Sequence, residues 1–296
     1  NKTEVMNPQT AFGVGSGTEN DNTLGTDAEI GQDNFIYVRV LNQGGSNAVN
    51  VNATVFWSPP ATLITPDLWT LAGSVSIPNV PAGEVLTVSN KITWPSSAIP
   101  AAGHYCFIGI IGNAEDPAPD PADFINWNNF TEFIRENNNV TWKNFNVADN
   151  DPDVDPSIPK GFFVLPFLAT GAPDKKRKFD FEVISGLPEG SKVFLEIPLR
   201  WKTEFFRHQA DLKYKLRKEY VPIPIKYAGK HLLEGIELDA KSKAKLRLLV
   251  FIPEKLRKNE YSIAVRQIWK RQEVGRISWK IVSKERKREI EKRFLK

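Results

Sequence analysis

The run Val49–Trp57 alternates without a break: Val49, Val51, Ala53, Val55 and Trp57 fall on one face, Asn50, Asn52 and Thr54 on the other. A period of two with one apolar and one polar face marks a strand covered on one side, as in one layer of a β-sandwich. Ile36, Val38 and Val40 repeat the pattern within Phe35–Leu41. Further strands are expected at Gly73–Ile77, Glu84–Trp94, His104–Gly112 and Asn139–Val147, punctuated by Pro78, Pro81, Pro95 and Pro100. The second half offers Gly161–Ala169, Lys178–Ile184, Lys192–Ile197, Leu232–Leu238, Ala244–Ile252, Tyr261–Lys270 and Glu273–Val282, with Arg271 and Gln272 joining the last two as a hairpin. Many short strands separated by turn signals predict a mainly β chain.

Two stretches break that rhythm. Phe124, Trp127, Phe130, Phe133 and Ile134 recur at helical spacing within Pro121–Arg135, with Asp120 or Asp123 as cap. This predicts a short helix packed over an open end of the first sandwich. The tail 284–296 has the composition of a solvated helix.

Charge divides the chain. Residues 1–150 hold 5 Lys+Arg against 15 Asp+Glu, a net of −10, and residues 151–296 hold 34 against 20, a net of +14. A shift this sharp marks a domain boundary. The expected organisation is an extended lead-in (1–33), an acidic sandwich (34–147), an Asp/Pro-rich linker (148–159) stiffened by its prolines, a basic sandwich (160–283) and the charged tail (284–296). With 296 residues, 41% hydrophobic and 11% aromatic, the chain can build two cores.

The single cysteine, Cys106, rules out an intrachain disulfide and a cysteine-based metal site. Such sparing use fits a reducing compartment or a secreted bacterial or archaeal protein that avoids thiols. No apolar run reaches membrane-spanning length, and the polar N-terminus, starting at Asn1, reads as a mature product or an excised fragment. Asn-x-Ser/Thr sequons fall at Asn1, Asn52, Asn129 and Asn139, all in the first half.

Two pairs of segments resemble the later strands of an immunoglobulin-type sandwich. The first is Val80-Pro-Ala-Gly-Glu-Val-Leu-Thr-Val followed by Ile99-Pro-Ala-Ala-Gly-His-Tyr-Cys-Phe-Ile. The second is Leu238-Asp-Ala-Lys-Ser-Lys-Ala-Lys-Leu-Arg-Leu followed by Asn259-Glu-Tyr-Ser-Ile-Ala-Val. Each places a tyrosine, Tyr105 or Tyr261, at the start of a late strand, where Ig-like folds form a tyrosine corner. The fold class is therefore two tandem Ig-like β-sandwich domains. The stretch Asn34–Val147 also resembles the CARDB/APHP-type Ig-like modules of bacterial and archaeal extracellular proteins, on Phe35-Ile-Tyr-Val-Arg-Val-Leu-Asn-Gln-Gly-Gly, Ala48-Val-Asn-Val-Asn-Ala-Thr-Val-Phe-Trp and Val80-Pro-Ala-Gly-Glu. The helical insertion departs from a minimal module. The resemblance implies an adhesive, spacer or presentation role, often beside secreted peptidases, at the cell surface or outside it.

Chemistry-bearing residues are sparse. His104, His208 and His231 lie far apart and lack a metal-type spacing, and there is no phosphate loop, nucleophile elbow or His-Glu-x-x-His motif. The reading is that the chain is not an enzyme. Asp149, Asp151, Asp153 and Asp155 alternate in the linker and are the candidate calcium ligands, since Ca²⁺ takes six to eight oxygens. Glu115, Asp116, Asp120 and Asp123 form a second acidic cluster. The EF-hand signature is absent and Pro152 and Pro156 restrict the wrap, so a solvated linker is the preferred reading and no cofactor is assigned. Trp57, Trp69, Trp94, Trp127 and Trp142 could form a carbohydrate platform, but most lie in phase with apolar faces, which favours core packing. The basic runs Lys175–Lys178, Arg200–Lys218 and Lys284–Lys296 have acidic residues interleaved in the last two, as in a thermophile-like Lys/Glu surface; nucleic-acid binding is disfavoured.

The charge split suggests self-association through opposite charges, and open sandwich edges add strand pairing, with the lead-in as candidate donor strand. The expectation is a non-catalytic extracellular structural or adhesive module that assembles head to tail through protein partners. The alternative is a carbohydrate- or protein-binding accessory module of a larger secreted hydrolase or peptidase.

Overall fold

The computed structural model describes residues 1–21, 24–148, 161–201, 219–256 and 260–281. The fold is mainly β and falls into two compact units. Unit 1 comprises Asn1–Ser58, Leu68–Phe124 and Glu132–Pro152; unit 2 comprises Pro59–Asp67, Ile125–Thr131 and Asp153–Lys296. The division does not follow the charge boundary alone, because Pro59–Asp67 and Ile125–Thr131 belong to unit 2.

In unit 1 the strands are β1 (Ala28–Glu29), β2 (Asn34–Ile36), β3 (Arg39–Val40), β4 (Ala48–Ser58), β5 (Thr70–Val80), β6 (Thr87–Val88), β7 (Ile92–Trp94), β8 (Gly103–Gly112) and β9 (Val140–Ala148). A five-stranded sheet runs β1-β9-β8-β4-β5, with β1 parallel to β9 and the other pairs antiparallel. The short pairs β2–β7 and β3–β6 form the second layer. Between the layers, Val55, Ala72, Ile92 and Trp94 cluster with half-buried Trp57, Tyr105 and Phe107. Val51, Ala53, Ile77 and Val80 form a second cluster with Val38, Val40 and Ile111. The alternation of β4 thus directs its apolar face inward, except at its mouth, where Val49 is 51% exposed.

Two expected strands are each split. Phe35–Leu41 becomes β2 and β3, and Glu84–Trp94 becomes β6 and β7. Both breaks fall at one place, where residues 37–38 face residues 89–91 and the register slips by one, and Ser89 sits in the slip. The Ser89 amide donates to the carbonyl of Val38 (2.9 Å), while the Ser89 hydroxyl accepts from the amide of Val38 (2.9 Å) and donates to the carbonyl of Asn90 (2.7 Å). The lead-in is not an unpaired strand either. Asn1 bonds Phe35 through backbone in both directions (2.7 Å each), and Gln9, on α1 (Pro8–Phe12), bonds the backbone of Leu86 and Val88. As a donor for a neighbouring chain it is already engaged within its own unit.

The predicted helix is present as a 3-10 turn at Pro121–Ile125 and α2 (Trp127–Glu136). Asp120 caps the turn through its carboxylate and the Ala122 amide (2.8 Å), while Asn126 caps α2 through the Asn128 amide (2.9 Å). It does not close an end of the sandwich. Phe133 stacks on Phe124 (3.7 Å) and meets Trp142 (6.0 Å) and Trp69 (6.3 Å), which in turn meets Phe56 (5.5 Å). In the register of β4, β8 and β9, Phe56, Ile108 and Trp142 share the face opposite Val55, so this cluster covers the outer face of the large sheet. That face is polar at Asn52 and Thr54 but apolar at Phe56, Ile108 and Trp142, and the insertion covers the apolar part.

Unit 2 contains β10 (Phe162–Thr170), β11 (Arg177–Gly186), β12 (Lys192–Pro198), β13 (Tyr220–Ile225), β14 (Ala228–Leu238), β15 (Lys243–Phe251), β16 (Tyr261–Trp269) and β17 (Gln272–Ile281). They form two antiparallel four-stranded sheets, β10-β15-β12-β13 and β14-β11-β16-β17. Leu195, Leu248 and Phe167 of one sheet and Val183, Val265 and Trp279 of the other are buried, and Phe167 meets Trp279 edge-on at 5.6 Å. The β16–β17 hairpin turns at Lys270 and Arg271, both with positive φ (49° and 66°), one residue earlier than the expected connection. The tail 284–296 lies outside the described residues.

β12 from Val193 to Pro198 and β15 from Leu246 to Val250 are buried on both faces. On the outer face Glu196 (0% exposed) and Arg247 (7%) lie opposite each other and pair through two bonds, Nε to Oε2 at 2.5 Å and Nη2 to Oε1 at 3.0 Å.

Unit 2 is completed by its two segments from the first half of the sequence. Ala61 bridges Leu168 of β10 in parallel, with Thr62 N–H donating to Leu168 O (2.9 Å) and Leu168 N–H to Pro60 O (2.7 Å). Below the bridge, Thr62 Oγ1 bonds Gln267 Oε1 (2.6 Å), Gln267 Nε2 donates to Thr170 O (3.0 Å), and Thr170 Oγ1 donates to Leu63 O (2.5 Å). Gly275 lets the segment approach: a Cβ there would stand 2.0 Å from Thr62 O.

Candidate functional site

Both expected tyrosine corners form. Tyr105, at the start of β8, donates its hydroxyl to Ala101 O (2.8 Å), and Tyr261, at the start of β16, donates to Leu256 O (2.9 Å). Each clamps the turn that feeds a strand of its sandwich, a structural use. Burial raises the Tyr105 hydroxyl above its ordinary pKa, which keeps it a donor.

Unit 1 carries two clefts. One, of about 440 Å³, lies between β2 and the β8–β9 side of the sandwich, walled by Phe12, Phe35, Tyr37, Trp94 and Phe107. Tyr37 is fixed there by Phe12 (5.8 Å) and by its hydroxyl, which accepts from Val5 N–H at 2.8 Å. Arg39 lines the same cleft, and its guanidinium donates to the carbonyls of Thr18, Glu19 and Asp21 (2.8–3.1 Å). The second cleft, of about 560 Å³, is lined by Val40, Val51 and Ile111 together with Asn42, Asn113 and Asn139. Its amides hold turns. Asn42 bonds Ser46 O, Val80 O and Gly44 N–H; Asn113 bonds the amides of Glu115 and Asp116 and the carbonyl of Val49. Asp21 and Lys143 also line the first cleft and Glu115 and Asp116 the second, so apolar wall, amide edge and charge meet in both.

The candidate calcium ligands Asp149, Asp151, Asp153 and Asp155 lie outside the described residues, so nothing in the structure bears on them. The second acidic cluster is described. Asp116, Asp123 and Glu115 are exposed, Asp120 caps a turn, and among the described residues no three His, Cys, Asp or Glu side chains gather as a metal-holding group. His104 is a half-buried residue of β8 in unit 1, and His231 sits on β14 in unit 2, its pKa lowered by burial and by Lys226. His208 is outside the described residues.

The five first-half tryptophans pack rather than project. Trp94 and Trp127 are buried at 0% and 1% exposure, and Trp57, Trp69 and Trp142 are half-buried in ring contacts. Sequence reading placed all five in one domain; Trp127 instead belongs to unit 2. It meets Phe179 (5.7 Å) and Trp269 (5.4 Å), and the Arg177 guanidinium lies over both indoles at 5.0 and 5.4 Å. Asp174 holds Arg177 through Nη2 (2.8 and 3.0 Å), and cation–π attraction over indole reinforces the seat. Of the basic run Lys175–Lys178, Lys176 pairs with Glu237 (2.6 Å), so that run has acidic partners as well. Arg200–Lys218 is described only at Arg200 and Trp201, and Lys284–Lys296 not at all. No described helix is long and apolar enough to cross a membrane.

No family model matches the chain, and no curated protein matches it. Among solved structures it is similar to a red sea bream transglutaminase, with a TM-score of 0.25 and 12% identity over 87% of this chain and 30% of that one. It is also similar to the Pseudomonas aeruginosa CupB2 chaperone, with a TM-score of 0.22 and 12% identity over 88% of this chain and 98% of that one. At such TM-scores neither likeness carries weight for fold or function.

Proposed function

We propose that this chain is a non-catalytic structural or adhesive module of the extracellular or cell-surface kind, which associates with other copies of itself head to tail. The observation that carries the reading is the charge split, −10 in residues 1–150 against +14 in residues 151–296. A heterologous contact between unlike ends propagates unless it closes into a ring. Arg39, Asn42, Asn113 and Asp120 hold turns, a use in keeping with a structural module. The CARDB/APHP-type resemblance of Asn34–Val147 supports the extracellular setting. Static light scattering at low salt tests the proposal: a weight-average mass that grows with concentration is expected, and a constant monomer mass refutes it.

A second reading, an accessory module that binds a carbohydrate or a protein, draws on the aromatic-walled cleft of about 440 Å³ in unit 1. A glycan array probed with the whole chain separates the two: retention on defined glycans, lost in a Tyr37→Ala variant, favours the accessory role.

A further inference from the structure

We infer that β5 is a docking edge for a second copy of this chain, pairing antiparallel with its own counterpart about a two-fold axis at Val75. Sheets carry edge strands as a liability, and proteins blunt them with charge, proline, bulges or brevity. The described edges can be compared one by one. β1 has two residues. β10 carries Pro166 and is met at Leu168 by Ala61, and β13 holds Pro222 and Pro224 within six residues. β14 carries Lys230, His231, Glu234 and Glu237, and β17 carries Glu273, Arg276 and Lys280.

β5 differs from all of these. It is an end strand of eleven residues, Thr-Leu-Ala-Gly-Ser-Val-Ser-Ile-Pro-Asn-Val, without one charged side chain. Its two interruptions are a register shift between Leu71 and Gly73 and Pro78 near the far end. Between them Gly73–Ile77 pairs with Val55–Val51 in unbroken register. Its centre, Ser74-Val75-Ser76, is symmetric about Val75. Antiparallel self-pairing there sets Gly73 opposite Ile77 and Ser74 opposite Ser76, each serine exposed in the isolated chain. Hydroxyl faces hydroxyl, and no like charges meet at any position of Gly73–Ile77. The edge is complementary to itself, while the charged edges β14 and β17 would face unpaired charge if they docked on it. An isologous contact of this kind closes as a dimer.

The contact adds to the proposed self-association an interface of different symmetry and different chemistry, and salt separates them. At about 1 M salt the Debye length is about 3 Å, which screens the attraction between unlike halves and leaves strand pairing intact. Sedimentation velocity of the whole chain under those conditions is expected to show a dimer. Ser74→Lys/Ser76→Lys places four lysines across the two-fold and is expected to return a monomer. Ser74→Lys/Ser76→Glu sets each lysine opposite a glutamate of the other copy and is expected to restore the dimer. Circular dichroism and melting of each variant establish that unit 1 is folded, since both serines are exposed. A monomeric wild-type chain at high salt overturns β5 pairing and leaves the charge-driven reading standing. A dimer unaffected by the double lysine variant overturns it too, by placing the interface elsewhere.

Discussion

Glu196 and Arg247 are the residues at which single changes and paired changes should part company. Each stands between apolar neighbours, Glu196 between Leu195 and Ile197 and Arg247 between Leu246 and Leu248, and the two are joined by two bonds where Glu196 is 0% and Arg247 7% exposed. Removing one partner takes both of these bonds from a buried charge, whereas replacing both with apolar side chains of similar volume removes the desolvation penalty along with the attraction. Arg247→Met is expected to cost about 3–5 kcal/mol in urea unfolding, and Glu196→Leu/Arg247→Met to lie near the wild type; a double variant as unstable as the single one would contradict this. Cys106 makes the opposite case. It is 2% exposed, and burial pushes its thiol from 9.0 up to about 12. The thiolate is the reactive species, so iodoacetamide at about pH 8 is expected to label the folded chain far more slowly than the urea-unfolded chain. In the unfolded state the thiol ionises first, so its contribution to stability is present below pH 9.0 and is lost as pH rises toward about 12. Cys106→Ser should flatten the alkaline limb of stability against pH over that window.

Pro59–Asp67 and α2 are the elements whose placement the sequence conceals. Gly275→Ala would drive a Cβ to 2.0 Å from Thr62 O and is expected to cost about 1–3 kcal/mol or more in unit 2, while Gly45→Ala, with open space around it, should be near neutral. Trp127→Ala removes the ring that Phe179, Trp269 and Arg177 enclose, at an expected cost of about 3–5 kcal/mol read from the same urea transition. Periodicity revealed most strands because it is a local property: β4, β8, β11 and β16 each carry their own alternation. It revealed the stripe of α2 for the same reason, but not its cover, since Phe133 and Trp127 look alike to a 3.6-residue period and serve different units. β13 is absent from the expected strands, since Pro222 and Pro224 interrupt its pattern, although an edge strand tolerates proline. The Glu196–Arg247 pair did leave a trace, one charge of each sign in otherwise apolar runs, which only pairing across strands turns into a contact. Tyr105 and Tyr261 were legible because a corner needs only a tyrosine after a turn; the clefts of unit 1 were not, since their walls come from segments as distant as Phe12 and Trp94.

At the scale of the whole molecule, charge is arranged by sequence more sharply than any other property. Half the chain is net −10 and the other half +14, and the proposed self-association would bring unlike halves of different copies together. Surface attraction of this sort is screened by ions, in contrast to the uncharged edge of β5, and the two contacts therefore respond differently to one variable. The measurement that tests the account most directly is the weight-average mass of the chain across a salt titration from about 0.01 to about 1 M, over which the Debye length falls from about 30 to about 3 Å. Head-to-tail association predicts assemblies larger than a dimer at the low end that dissolve steadily as salt rises. A mass that does not change across the titration would contradict it.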